Sequence, residues 1–266
     1  MTGAGHISLT IVPAGAFSAL AATGQAAAIK VMSDSPLAPA LTRVTDLYRQ
    51  ETHDQVSLVF DPSPAVKKGI DDGEAADVVI VQPDFAEELT KSGKVRAGDR
   101  PIIGRVGVGL GNRVDGPAYD ISTVEKFKKP LLGADLLVFN SVKSGEAFAK
   151  VLERLGIADT LKPKIARTTP NGIFEPVLKG KGNDMAAGTM PLIATTPGIK
   201  LLGPLPGDLQ SYLTYTAALM TNASQPETAE NFITFCCRRR QRKRSRRTAP
   251  SEIAIKSRSV RGQRSP

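Results

Sequence analysis

Tryptophan is absent, histidine and cysteine occur twice each, and aromatic residues make up 5% of the 266-residue chain. The two cysteines, Cys236 and Cys237, are adjacent, and neighbouring cysteines bridge only with strain, so neither a disulfide framework nor a thiolate metal site is available. His6 and His53 are too few for a histidine-rich metal site or a zinc-protease motif. A Ser-His-Asp triad would have to be built on His53 alone, which follows a helical stretch among polar residues. No cofactor is expected. No apolar run reaches the roughly 20 residues that a membrane-spanning helix needs, because Pro13, Gly15, Thr23 and Gln25 interrupt the one candidate. The string Gly107-Val108-Gly109-Leu110-Gly111 lies inside an alternating strand and lacks both the G-x-G-x-x-G spacing and a Walker lysine, which excludes the usual nucleotide motifs. Asp71, Asp72 and Glu74, at a helix end beside Gly73, read as solvated surface rather than a cation site.

The net charge of +9 is unevenly placed. Residues 238–266 hold 12 Lys+Arg against a single acid, Glu252, while residues 1–237 hold 23 against 25. Basicity therefore belongs to a tail, and the rest is a mildly acidic chain with enough apolar residues for one large core or two smaller ones. Residues 1–28 contain no charged side chain, are apolar or small from 7 to 22, and end in Ala26-Ala27-Ala28. That is the pattern of an export signal with an A-x-A cleavage site, lacking only its basic start; a disordered Ala/Gly-rich leader is the other reading.

From residue 29 strands and helices alternate. Residues 29–33 form an apolar strand, and Leu37, Leu41, Val44, Leu47 and Tyr48 recur at helical spacing. Residues 55–60 alternate as a strand, Ser63 is expected to cap a helix, and 77–81 (DVVIV) read as a buried parallel strand followed by a helix capped by Asp84. This β-α repetition predicts an α/β lobe with a parallel sheet. A longer strand, 103–110, is positioned to carry the chain into a second lobe with strands at 135–139, 164–167 and 184–189. Residues 212–220 form a second long strand, and 226–235 start a closing helix, so the chain is expected to leave its first lobe once and return once.

Four helix starts follow short polar loops: Ser33-Asp34-Ser35-Pro36, Asp61-Pro62-Ser63-Pro64, Asn140 to Gly145, and Thr168 to Gly172. In parallel α/β sheets such loops lie at the carboxyl ends of strands, and helix starts offer free N–H groups and partial positive charge to an anion. Any one of these loops reads equally as an ordinary cap; their recurrence across both lobes points to a ligand.

The segments IKVMSDSPLAPAL, EAADVVIV, RVGVGLGNR, FAKVLERLGIADTLKPK and LLGPLPGDLQSYLTYTAALM resemble, in this order, the periplasmic molybdate-binding proteins of ABC importers. The resemblance covers about residues 29–235. It implies a type II periplasmic-binding fold, two α/β lobes joined by two crossover strands and closing on a ligand. Lobe I would comprise 29–105 and 206–236, lobe II 106–205, with 1–28 as signal peptide and 237–266 as the basic tail. The family's loop serines fall on Ser63 and on Pro36, where Ser33 and Ser35 are neighbouring substitutes. Its backbone donors fall on Gln82 and on Pro170, which lacks an N–H and has Asn171 beside it. Its second-lobe tyrosine falls on Gly188 or Thr189. With Ser144 of the third loop, the expected ligand residues are Ser33, Ser35, Ser63, Gln82, Ser144 and Asn171.

The resemblance stops at Cys236-Cys237, where the chain turns into RRRQRKRSRR. Permitted codons for 237–249, read two nucleotides in, spell SPAAEKALTPHG, which resembles the family's closing helix, so the tail is expected to reflect a frame change. Taken at face value it is a disordered basic arm for nucleic acid or an anionic membrane surface, without an aromatic residue to stack on bases. The function expected from the whole is that of a monomeric, non-enzymatic periplasmic solute-binding protein that captures a small anion such as molybdate or tungstate and passes it to an ABC permease.

Overall fold

The computed structural model of the chain describes residues 26–170 and 172–248, with side chains through residue 238. The first lobe begins β1 (Ala28–Asp34), α1 (Ala38–Thr52), β2 (Gln55–Asp61), α2 (Ser63–Asp71), β3 (Val78–Val81) and α3 (Pro83–Lys91). The long strand β4 (Ile102–Arg113) leads to α4 (Val124–Leu132), β5 (Leu136–Asn140), α5 (Lys143–Arg154), α6 (Ala158–Leu161), β6 (Ile165–Thr168), α7 (Glu175–Lys179) and β7 (Asp184–Thr189). Then come α8 (Met190–Thr195), β8 (Ile199–Pro204), the returning strand β9 (Tyr212–Leu219) and α9 (Pro226–Thr248).

The strand order is β2-β1-β3-β9-β4-β7-β5-β6, with β8 pairing β4 off this path. β1 runs parallel to both β2 and β3, as continuous apolar runs such as VVIV require when both faces are covered. The two connecting strands are antiparallel partners: β4 pairs β9 from Ile102 to Gly107, then pairs β7 from Val108 to Asn112. The same strand thus starts in one lobe's sheet and ends in the other's, and β9 brings the chain back alongside β3. This is the α/β, two-lobe type II periplasmic-binding architecture with two crossover strands.

The β4 glycines have a packing role. A Cβ on Gly109 would lie 2.7 Å from Met190 and 2.8 Å from the Gly203 carbonyl, so the bare backbone admits α8 and β8. Neither α8 nor β8 was read from the sequence, where only residues 203–207 stand out as a Pro/Gly-rich stretch. Asp71, Asp72 and Glu74 form exposed ion pairs with Lys67, Lys68 and Lys30.

The closing helix α9 docks through Ala229, Phe232 and Cys236, all buried. Phe232 and Phe235 meet the Tyr48 ring edge-on at 5.2 and 5.3 Å. Burial, and then the neighbouring Asp54, push the Tyr48 hydroxyl up to about 12, and burial pushes the Cys236 thiol up to about 12. Helix formation continues through the change of composition at Cys237 as far as Thr248. Asp77 anchors the helix start: its carboxylate accepts from Lys30 N–H on β1, the Ser224 N–H and hydroxyl, and Gln225 N–H. Among the described residues no helix is long and apolar enough to cross a membrane.

Candidate ligand-binding site

A cavity of about 30 Å³ lies between the lobes where the carboxyl ends of the strands face each other. The first lobe contributes Asp34, Ser35, Pro36, Ser63 and Gln82, and the second contributes Asn140, Ser144, Pro170, Ile173 and Thr189. Leu213 and Tyr215 of β9 form its floor along the connecting strands. Helix starts surround it as expected, although the caps differ in detail. Ser63 is the first residue of α2 after its cap Pro62, and α3 is capped by Gln82, leaving Asp84 in its first turn.

Of the residues expected from sequence, Ser35, Ser63, Gln82 and Ser144 line this cavity. Ser33 does not. It is wholly buried within β1, and its hydroxyl donates to the Asp34 carbonyl at 3.4 Å, because strand alternation turns it to the opposite face from a cleft residue. Asn171 lies outside the described residues; Pro170 before it lines the cavity. His53 is far from any such role: it ends α1 in the left-handed conformation at φ 65° and is absent from the cavity wall.

The main residue that sequence reasoning passed over is Asp34. At 4% exposure it is nearly closed off from water, yet it borders the cavity. Its Oδ2 accepts from the Ser63 N–H at 3.1 Å, from the Ser63 hydroxyl, and from Gln82 Nε2 at 3.4 Å. Ser63 Oγ in turn accepts from the Gln82 N–H at 3.2 Å. Burial raises the Asp34 carboxyl above its usual range, and the hydrogen bonds from Ser63, Gln82 and the Ser35 backbone only partly offset it. The α2 donors that an oxyanion would use are thus engaged by a carboxylate of the chain itself.

Across the cavity, Asn140 Oδ1 gathers the start of α5, accepting from the Val142 and Gly145 N–H groups at 3.2 and 3.0 Å while its Nδ2 meets Ser144 Oγ at 3.0 Å. The Thr189 hydroxyl and Gln82 Oε1 are buried there without hydrogen-bond partners, and the Tyr215 hydroxyl is buried with the Gln82 side chain as its neighbour. Burial, and then the nearby Asp34 charge, raise the Tyr215 hydroxyl well above the usual phenol range, against a smaller lowering by the Gln82 side chain. Among the described residues lining the cavity there is no lysine, arginine or histidine. Lys143, which is outside this wall, places its ammonium 2.5 Å from Asp84 Oδ1 on the other lobe and 5.9 Å from the Phe85 ring centroid.

Two lobes, two connecting strands and a cavity between strand ends are the architecture of a solute-binding protein. Residues 29–237 match the family model described as bacterial extracellular solute-binding protein, and the chain belongs to that family. Its fold is similar to that of the periplasmic molybdate-binding protein of Azotobacter vinelandii, with a TM-score of 0.63 at 18% identity over 79% of this chain and 92% of that one. The sulfate-binding protein SubI of Mycobacterium tuberculosis superposes with a TM-score of 0.58 at 16% identity, over 79% of this chain and 81% of that one. In sequence the chain is 22% identical over 213 residues to the aconitate isomerase of a Pseudomonas species, covering 78% of this chain and 81% of that one.

Proposed function

We propose that the protein is a periplasmic solute-binding protein of an ABC importer, which captures a small anion between its lobes as a monomer and delivers it to a membrane permease. One observation carries this reading: a single cavity is walled by helix starts and hydroxyls from both lobes. A ligand touching both walls favours the closed arrangement, and β4 and β9 are the strands about which the lobes would turn. Ser35, Ser63, Gln82 and Ser144, with Asn171 beside Pro170, are the proposed ligand residues. Lobe I is taken as 29–105 and 206–236, lobe II as 106–205, and 1–28 as an export signal. Molybdate and tungstate enter by family resemblance, and sulfate by the SubI likeness. A nucleic-acid role rests on residues 238–266 alone.

The test is thermal unfolding of the full chain with molybdate, tungstate, sulfate, phosphate and small carboxylates. A ligand at about 1,000 times its dissociation constant stabilises by about 4 kcal/mol, worth roughly 2–4 °C per kcal/mol in a chain of this size. The absence of a shift with every anion would remove the reading.

A second reading is favoured by Asp34 and Tyr215. A buried carboxylate with a raised pKa in the same cavity wall as a buried phenol is the equipment for moving a proton on a bound acid, and one protein similar to this chain is an aconitate isomerase. Asp34 would take a proton from one carbon of the ligand and return it at another. Incubation with cis- and trans-aconitate, followed by proton NMR, decides it: interconversion that disappears in Asp34→Asn supports the isomerase, and unchanged spectra dismiss that activity.

A further inference from the structure

The cavity wall mixes donors with acceptors, and this restricts what it can hold. Thr189 presents an unpartnered hydroxyl, and Tyr215, whose oxygen the Gln82 side chain approaches, keeps a proton to donate. Gln82 turns its Nε2 to Asp34, so its unpartnered Oε1 can only accept. Asp34 is a carboxylate with no cation beside it in the wall; its contacts with Ser63 and Gln82 fall on Oδ2, and the Ser35 backbone N–H also donates to the carboxylate. A fully deprotonated oxyanion such as sulfate or molybdate brings only acceptors. Placed here it would leave Gln82 Oε1 unpaired, compete with Asp34 for the Ser63 donors, and set like charges together in a site shielded from water.

We propose that the cleft is selective for a small acid that carries its own hydrogen-bond donor, either a hydrogen oxyanion or a hydroxycarboxylate, with Asp34 as the residue that accepts this donor and turns away fully deprotonated oxyanions. This deepens, and rests on, the reading of the cleft as an anion site. The ligand's O–H meets Asp34, its anionic oxygens take the hydroxyls of Tyr215, Thr189 and Ser144, and Gln82 Oε1 accepts a second donor where the ligand has one. Sites built to pair a ligand hydroxyl reject the analogue that lacks it far more strongly than apolar sites reject a missing methylene.

Two matched pairs test it by calorimetric titration of the full chain at mildly alkaline pH. Sulfate and hydrogen phosphate are tetrahedral dianions of similar size, and only the second keeps a proton; propionate and lactate differ by one hydroxyl. Molybdate is included as a further donor-free oxyanion. The expected result is that the donor-bearing member of at least one pair binds about a hundredfold more tightly or better, and which pair responds distinguishes the oxyanion from the hydroxycarboxylate. In Asp34→Asn the gap narrows to below about tenfold, because the amide can donate to a bare oxyanion.

A pH series on the unaltered chain gives an independent reading should Asp34→Asn fail to fold. Sulfate stays fully ionised while Asp34 takes up a proton, so sulfate affinity is expected to rise as pH falls. Tyr215 is the other titratable group lining the cavity among the described residues. Charged groups on the packed elements include Asp61, register partner of Asp34 on β2, the Asp84–Lys143 pair, Lys67 on α2 with its partners Asp71 and Glu88, and Arg167, whose guanidinium donates to the Asn140 and Gly145 carbonyls. Sulfate or molybdate binding as tightly as both phosphate and lactate, a gap that survives Asp34→Asn, or a sulfate affinity that stays flat on acidification would overturn the selectivity while leaving the anion site standing. Binding of none of these anions to either protein would remove the anion site and the selectivity together.

Discussion

Lys143, at the start of α5 in the second lobe, places its ammonium 2.5 Å from the Asp84 carboxylate on α3 of the first. The pair links the two lobes, yet both side chains remain about half exposed, and exposed ion pairs contribute about 0–1 kcal/mol. Lys143→Ala is therefore expected to weaken ligand affinity by no more than about fivefold, with high salt reproducing the loss in the unaltered protein. Titration calorimetry at two salt concentrations checks both effects; a loss of a hundredfold would make Lys143 a direct ligand contact.

Asp34 is expected to cost stability in the empty protein. Its folded pKa is raised, so its contribution is most favourable below the unfolded carboxyl pKa and is lost as pH rises through the folded value. Asp34→Asn removes this penalty and is expected to raise the unfolding midpoint near neutral pH by about 2–4 °C, as replacements at functional sites often do. The advantage shrinks on acidification. Calorimetric melting of both proteins across the acidic range reads the difference.

Asp77 has the opposite sign. Burial works to raise its carboxyl, but the N–H of Lys30, the hydroxyl and N–H of Ser224 and the N–H of Gln225 outweigh it, so its pKa is lowered. Its stabilising contribution is present above the unfolded pKa and is lost as pH falls through the folded one. Asp77→Ala leaves these donors without their acceptor and is expected to cost about 2–3 kcal/mol near neutral pH, read from urea melts. That difference shrinks in acid, where the protonated carboxyl is a weaker acceptor.

Gly145 is fixed by its neighbour. A Cβ at this position would overlap the Asn140 carbonyl oxygen, which is backbone and has little room to yield. Gly145→Ala is expected to destabilise by about 1–3 kcal/mol and to weaken ligand binding as well, because Asn140 and Ser144 would be displaced from the cavity wall. Thermal melts with and without ligand separate the two effects.

Deletion of residues 239–266 leaves Ala229, Phe232, Phe235 and Cys236 of α9 in place against the first lobe. Ligand affinity is expected to be unchanged, and any retention on an immobilised polyanion is expected to disappear. A truncated protein that keeps its polyanion binding would show that the basicity of the tail is not what attracts such partners.

The two lobes were legible because hydrophobic period and punctuation agree: VVIV is too continuous for a one-sided strand, and Leu37, Leu41 and Tyr48 recur at helical spacing and are all buried. The long alternating run around Val106, Val108 and Leu110 announced a strand shared between lobes. β8 escaped because Ile199 to Pro204 is short, ends in Gly203-Pro204, and is held as a strand chiefly by its antiparallel pairing with β4. In the site, loop serines were visible as helix-start residues. Asp34 stood in one of the quoted loops, but an acidic residue beside an anion site reads as surface until its burial is known. Tyr215 sits on the inward face of β9, where an aromatic residue reads as core, and only the tertiary placement of that strand on the cavity floor gives its hydroxyl a role.

Capture of a ligand between closing lobes makes the protein more compact when the ligand binds. Small-angle X-ray scattering of the full chain, empty and with the anion that most raises its unfolding midpoint, measures this directly. The account predicts a smaller radius of gyration in the bound state, and loss of that compaction in Ser63→Ala combined with Ser144→Ala. An unchanged radius alongside a large thermal shift would place the ligand outside the cleft and contradict the account.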